Sequence, residues 1–277
     1  MREMDNGIGS AQNHYNGDGF DDYVLDKIQN VNHCNYDEKI TELFKYDQFH
    51  IGGGVLTEKL LSLGVFCSQD RVLDVGCGVG GVARYLAHFC SVDVLAVDLS
   101  PSYIRAARKI HDCVEFKGGV EYVCADFCGS DLGESDFDVV LMFHVGMNIE
   151  DKSDAFKKSF NYLKKNGKLV ICDVLKVSGV CVGDFPFPLP WASVLEHSHV
   201  EDIKSYKNKL LRAGFNVLDN FVCGDIVSKV VQKTSFDDVP PFTGADFKLA
   251  IINHGATFSC TNKSRRFSSE IGRASCR

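Results

Sequence analysis

Val72-Leu73-Asp74-Val75-Gly76-Cys77-Gly78-Val79-Gly80-Gly81 decides the fold. The run Arg71–Val75 is short and apolar and stops at glycines, which marks a buried strand. Helical spacing follows at once and continues from Gly80 to His88. Glycines between strand and helix let the backbone bend sharply and let a ligand approach the main chain closely.

The same rhythm repeats downstream. Val92–Val97 reads as a strand, and Ser100-Pro101 supplies an N-cap and a first-turn proline for a helix to His111. Val120–Cys124 and Phe137–Phe143 are further strands. Lys152–Lys165 places Phe156, Phe160 and Leu163 on one face, with lysines on a solvated face, and Asn166-Gly167 stops the helix. Lys168–Val174 is the next strand. Ser198-His199-Val200-Glu201 reads as a capping box for a helix to Gly214, and Phe215–Val222 as a strand. Upstream, Ile40–Phe44 and Val55–Leu63 are short helical patterns around a glycine-rich turn, and Phe247–Ile252 is a candidate last strand.

Strands alternating with helices predict an α/β fold, a doubly wound, mainly parallel sheet with an N-terminal helical lid. Such sheets bind ligands at the carboxyl ends of their strands, where strand order reverses. Residues 1–36 are rich in Asn, Asp and Gly and are expected to be loosely ordered. The domain with its lid is expected over 37–252 and a tail over 253–277. Ile271–Arg277 reads as translated adapter DNA, so the natural C-terminus is expected to be altered.

The 277 residues are 45% hydrophobic and 24% charged, an ordinary globular balance that excludes a disordered chain, a coiled coil or a collagen-like fibre. A net charge of −7 argues against general affinity for nucleic acid or anionic membrane. No apolar run is long enough to span a membrane, and the polar start, Met1–Phe20, does not read as a secretory signal. The 12 cysteines include no Cys-x-x-Cys pair, so they read as free thiols, small core hydrophobes in a reducing cytosol, and no metal site is assigned.

Three acidic positions mark three successive strands: Asp74 sits on the first, Asp98 closes the second and Asp126 comes after the third. Asp74 precedes the first glycine by two residues, where a carboxylate would repel a pyrophosphate and attract an ammonium group. S-adenosylmethionine carries such an amino group, and a carboxylate that turn amides can receive. Asp98, in Ala96-Val97-Asp98-Leu99-Ser100, can accept both hydroxyls of a ribose, a feature that nicotinamide and methyl-donor nucleotides share. Asp126, in Cys124-Ala125-Asp126-Phe127, can accept from an adenine amino group while Phe127 packs on the ring.

With these motifs, residues from about 46 to 222 resemble a class I S-adenosylmethionine-dependent methyltransferase. The Asp-x-Gly-x-Gly-x-Gly run and the two later acidic positions match that superfamily. Phe49-His50-Ile51-Gly52-Gly53, His144-Val145-Gly146-Met147-Asn148-Ile149 and Pro188-Leu189-Pro190-Trp191-Ala192 resemble the sarcosine/dimethylglycine N-methyltransferase-like group. That group neighbours the phosphoethanolamine, tocopherol and sterol methyltransferases.

The resemblance implies a cofactor site of Asp74, Gly76, Cys77, Gly78, Gly80, Asp98, Leu99, Asp126, Phe127 and His144. It implies a substrate side of His50, Gly53, Asn148 and Trp191. His144 follows an apolar strand and is the candidate catalytic base, the alternative being a residue that only positions ligands. Tyr15 is a candidate lid residue. Phosphoethanolamine methyltransferases carry a histidine where Asn148 stands, and Asn148 cannot act as a base. The loop Phe185–Trp191 reads as stiff, with Trp191 walling a substrate pocket or plugging the sheet end. His197 and His199 read as exposed residues of a cap region.

The expected activity is methyl transfer from S-adenosylmethionine to a small amine by a cytoplasmic monomer or homodimer. The alternatives are C- or O-methylation of a lipid, quinol or sterol-like acceptor, a protein that holds S-adenosylmethionine without turnover, and a dehydrogenase, which Asp74 opposes.

Overall fold

A computed structural model describes residues 36–48, 50, 53–185, 187–222 and 245–254. The expected loose segment 1–36, apart from Tyr36, lies outside these residues. So do Tyr15, Phe49, Ile51, Gly52, the stretch 223–244 and the end of the tail.

Two helices, α1 (Tyr36–Leu43) and α2 (Gly53–Ser62), precede the sheet. Then come β1 (Arg71–Val75), α3 (Gly81–Cys90), β2 (Asp93–Asp98), α4 (Pro101–His111), β3 (Val120–Cys124) and β4 (Phe137–Phe143). The chain continues through α5 (Lys152–Tyr162), β5 (Leu163–Lys176), α6 (Ile203–Arg212), β6 (Phe215–Val222) and β7 (Ala245–His254).

The strands form one seven-stranded sheet in the order β3-β2-β1-β4-β5-β7-β6. The first five run parallel, and β7 enters antiparallel between β5 and β6. Order reverses between β1 and β4, which pair in register from Val72↔Val139 to Val75↔Met142.

Both faces of the sheet are covered, which is why the inner strands β1, β2 and β4 are near-continuous apolar runs rather than alternating ones. On one face Val72, Val94, Ala96, Val139 and Leu141 pack with α2 and α3 through Leu56, Leu60, Ala83 and Leu86. On the other, Leu73, Val75, Leu95, Val140 and Met142 pack with α5 and α6 through Phe156, Tyr206 and Leu210. Helix α1 adds a smaller cluster, Ile40 and Leu43 against Val79, Ala106 and Ile110.

The caps follow sequence chemistry at two helices. Ser100 accepts from the Tyr103 amide with Pro101 in the first turn, and Asp151 accepts from the amides of Ser153 and Asp154.

Three sequence expectations are corrected. Helix α5 ends at Tyr162, because Lys164 pairs with Asp138 (2.8 Å) and draws Leu163–Lys165 alongside β4 as the start of β5. The capping box at Ser198 does not form. Ser198 instead accepts from the Trp191 indole at 3.0 Å, and Asp202 caps α6 by accepting from Ser205. Among the described residues the cysteines are free, but Cys172 alone is fully buried, and Cys124 is exposed at the end of β3.

Candidate active site

The carboxyl ends of β1, β2, β3 and β4 open into a cavity of about 490 Å³. Asp74, Gly76, Cys77, Gly78, Asp98 and Leu99 line it from β1 and β2. Asp126 and Phe127 line it after β3, and His144 and Asn148 after β4. His50 and Trp191 close it from either side in sequence. Gly80 and Gly53, expected among the site residues, are not part of its lining.

Glycine is required at this turn for two different reasons. Gly76 has φ 72°, and a Cβ there would sit 2.2 Å from a Val145 methyl. Gly78 has φ 56° and opens onto free space, so its backbone is exposed to whatever occupies the cavity.

Asp98 is fixed by two backbone amides. Gly78 N–H donates to one carboxylate oxygen and Ser100 N–H to the other, both at 2.8 Å. Each oxygen keeps a lone pair for a diol. Burial raises the Asp98 carboxyl against the pull of those two amides.

Asp74 is 1% exposed, and its Oδ2 has no hydrogen-bond partner. Burial, then the Asp98 charge, pushes its carboxyl up to about 7. Such an orphaned buried carboxyl is satisfied by holding a proton or by meeting a donor from outside the chain. The Cys77 thiol is raised well above its ordinary value by burial and then Asp98, so it stays protonated at neutral pH.

His144 ends β4 in the left-handed region, φ 56°, with its N–H donating to the Cys172 carbonyl at 2.7 Å. A non-glycine residue there is strained, a condition that collects at functional sites. Its ring lies 5.7 Å from that of His50 and 5.6 Å from that of Phe143. Burial lowers both imidazoles, His50 to about 4 and His144 well below its usual value, His50 adding to the latter. Both are neutral at neutral pH.

His50 is held by a chain of side chains. Its Nε2 lies 3.2 Å from Thr57 Oγ1, which donates to Gln48 at 2.8 Å. Gln48 donates to Asp47 at 2.9 Å, and Asp47 pairs with Arg84 at 2.9 Å. Arg84 is 1% exposed and also donates to the Tyr122 hydroxyl and the Ala107 carbonyl. Burial raises the Asp47 carboxyl even beside Arg84. The network ties the turn carrying His50 to α3 and β3. Gly81 permits it: a Cβ there would lie 2.2 Å from the Asp47 carbonyl.

Sequence reading missed this pair, since two charges far apart in the chain give no local signal. It also misread Lys152 and His199. Lys152 is fully buried and donates to the carbonyls of Ile149 and His199. His199 is half-buried and lines the cavity rather than facing solvent. Trp191 is 2% exposed and joins both proposed roles, packing in the core over β5 and lining the cavity. Among the described residues there is no group of three or more His, Cys, Asp or Glu that could hold a metal, and no helix long and apolar enough to cross a membrane.

A glycine turn at the strand-order switch, an orphaned carboxylate beside it and a second carboxylate ending the next strand define the class I, S-adenosylmethionine-dependent methyltransferase fold. Residues 73–171 match the family described as a methyltransferase domain. Among curated proteins it is similar to phosphoethanolamine N-methyltransferase 1 of Triticum aestivum, 29% identical over 189 residues, covering 66% of this chain and 36% of that one. The chain thus spans about a third of the length of the curated relatives it matches.

Among solved structures it resembles Haemonchus contortus phosphoethanolamine N-methyltransferase 2 in complex with S-adenosyl-L-methionine. The TM-score is 0.61 at 16% identity, covering 84% of this chain and 60% of that one. A Galdieria sulphuraria protein assigned as a sarcosine dimethylglycine methyltransferase gives a TM-score of 0.58 at 16% identity, covering 81% of this chain and all of the other.

Proposed function

We propose that the chain transfers a methyl group from S-adenosylmethionine to the nitrogen of a small amine. The observation that carries this reading is Asp74 Oδ2, buried and unpartnered beside the Gly76–Gly78 turn. Asp74 would hold the amino group of the methionine moiety, while the amides of Gly76, Cys77 and Gly78 are taken by the Val97 carbonyl and Asp98 and so do not receive its carboxylate. Asp98 would accept the ribose hydroxyls, and Asp126 with Phe127 would hold the adenine.

When bound, the sulfonium supplies an already activated methyl group, so the chain's own work is alignment, exclusion of water and proton handling. Asp47 and His50, held through Arg84, line the cavity and would help to keep water from the reacting atoms. Asn148 and Trp191 bound the acceptor. His144, neutral and at the end of β4, takes the proton that the amine nitrogen must lose before or during attack. The free thiols support a reducing compartment, the cytosol, as its place of action.

The names of the relatives support an amine acceptor: the wheat and Haemonchus proteins are phosphoethanolamine N-methyltransferases. The test is release of S-adenosylhomocysteine from S-adenosylmethionine across amines, phosphobases, quinols and sterols. Release with an amine is expected. Release only with a quinol or sterol would move the reading to C- or O-methylation. Binding of S-adenosylhomocysteine without release in any mixture would make the chain a non-catalytic binder.

A further inference from the structure

Building on the methyl-transfer reading, we infer that the acceptor is an amine whose remainder bears no anionic group, such as an amino alcohol or alkylamine, rather than a phosphobase or an amino acid. The formal charges that line the cavity are carboxylates. Asp74, Asp98 and Asp126 surround the cofactor end, and Glu150, Asp151 and Asp154 follow β4. Among the described residues no Lys or Arg lines it.

Cations adjoining the wall are committed elsewhere. Lys152 spends its donors on the Ile149 and His199 carbonyls, behind the wall, 3.7 Å from Glu201. Arg84 is held by Asp47 and Tyr122. Lys158 donates to the Cys128 carbonyl at 3.3 Å and lies 5.3 Å from the centre of the Phe127 ring.

The acceptor end presents Phe143, Trp191, His50, His144, Asn148 and His199. Trp191 has given its indole N–H to Ser198, so what it adds is ring surface. The two imidazoles are neutral, so they supply no positive charge.

A phosphate or carboxylate entering this space would lose water without gaining an ion pair, and would lie in the field of the carboxylates. An amine with a neutral remainder meets ring faces and neutral polar atoms, which suit its carbon groups and, when protonated, its charge. The phosphoethanolamine of the relatives' names is therefore the wrong charge type for this cavity.

The experiment titrates the full chain by calorimetry, first with S-adenosylhomocysteine. Absence of that binding would bring down the cofactor reading, and the present inference with it. The loaded protein is then titrated with two matched pairs: dimethylethanolamine against its phosphate ester, and dimethylglycine methyl ester against dimethylglycine.

The member without the anionic group should bind at least about tenfold more tightly in each pair. Equal or tighter binding of the anionic member, or binding of neither, overturns the inference. Asn148→Arg separates charge from shape. It places a cation in the lining and should narrow the gap several-fold while S-adenosylhomocysteine still binds. A gap unchanged in that variant would show that shape, not charge, sets the preference, and would also overturn it.

Discussion

Asp74 shows what burying a carboxyl does to the stability of the fold. Its carboxyl titrates near 3.8 in an unstructured chain and near 7 when buried here. Between those values the folded state binds more proton than the unfolded one, so stability falls as pH rises through this window. Asp74→Asn should therefore stabilise the ligand-free protein at pH 8 by about 1–3 kcal/mol, the range for relieving an unsatisfied buried group. The gain should vanish near pH 4, and affinity for S-adenosylhomocysteine should fall. Urea melts at the two pH values and calorimetry check this; a melt unmoved at pH 8 would mean the charge is already compensated. His144 is the complementary case. It is neutral, and the burial that keeps it so also opposes its taking a proton, so turnover decides whether it acts as a base. His144→Ala and His144→Asn should each lower turnover by roughly 100-fold with cofactor affinity little changed. The loss should shrink at high pH, where the amine is free without help. Near-normal turnover of His144→Asn at neutral pH would leave His144 a positioning role only. Asp74, Asp98, Asp126 and His144 were legible in the sequence because each sits at or just past the carboxyl end of a strand. His199 was not, because what exposes it to the cavity is a loop folded back from β5, with its amide on the Met147 carbonyl.

The strands were the most legible elements. A parallel strand covered on both faces is an uninterrupted apolar run, and β1, β2 and β4 are such runs. Helix ends were less legible because several residues near each could cap, and tertiary partners choose among them. Ser198 is drawn off to Trp191, which leaves Asp202 as the cap of α6. The burial of Lys152 was illegible because its charge is offset by carbonyls and by Glu201, supplied from another element. The same holds for Arg84 and Asp47, which fasten the turn before α2 to α3. Breaking a buried pair by removing one partner leaves an uncompensated charge. Asp47→Ala should thus cost about 3–5 kcal/mol of stability, measured by urea denaturation. Arg84→Met added to it should recover much of that loss. If the two single losses simply add in the double variant, the pair does not couple the turn to the helix.

At the scale of the molecule, the sheet gathers charges that a random surface would scatter. β1 and β2 run parallel with Asp74 and Asp98 at their carboxyl ends, so the glycine turn sits between two carboxylates. That arrangement sorts nucleotides. Either a methyl-donor nucleoside or a nicotinamide dinucleotide could offer a ribose to Asp98, so Asp98 does not discriminate. Asp74 does, because a pyrophosphate laid on the turn would approach a buried carboxylate, whereas an amino group would pair with it. Burial makes the contrast larger, since charges interact more strongly away from water. A ligand that binds only the folded state stabilises it by about 2.7 kcal/mol when present at 100 times its dissociation constant. For a chain of this size that is a rise of roughly 5–10 °C in melting temperature. S-adenosylhomocysteine should produce a shift of this order, and NADH at the same concentration none. Asp74→Asn should shrink the first shift and leave the second at zero, because removing the charge does not supply the amides and space that a pyrophosphate needs. Equal shifts with the two ligands in the unaltered protein would overturn the role given to Asp74, and a shift with NADH alone would make the cavity a dinucleotide site.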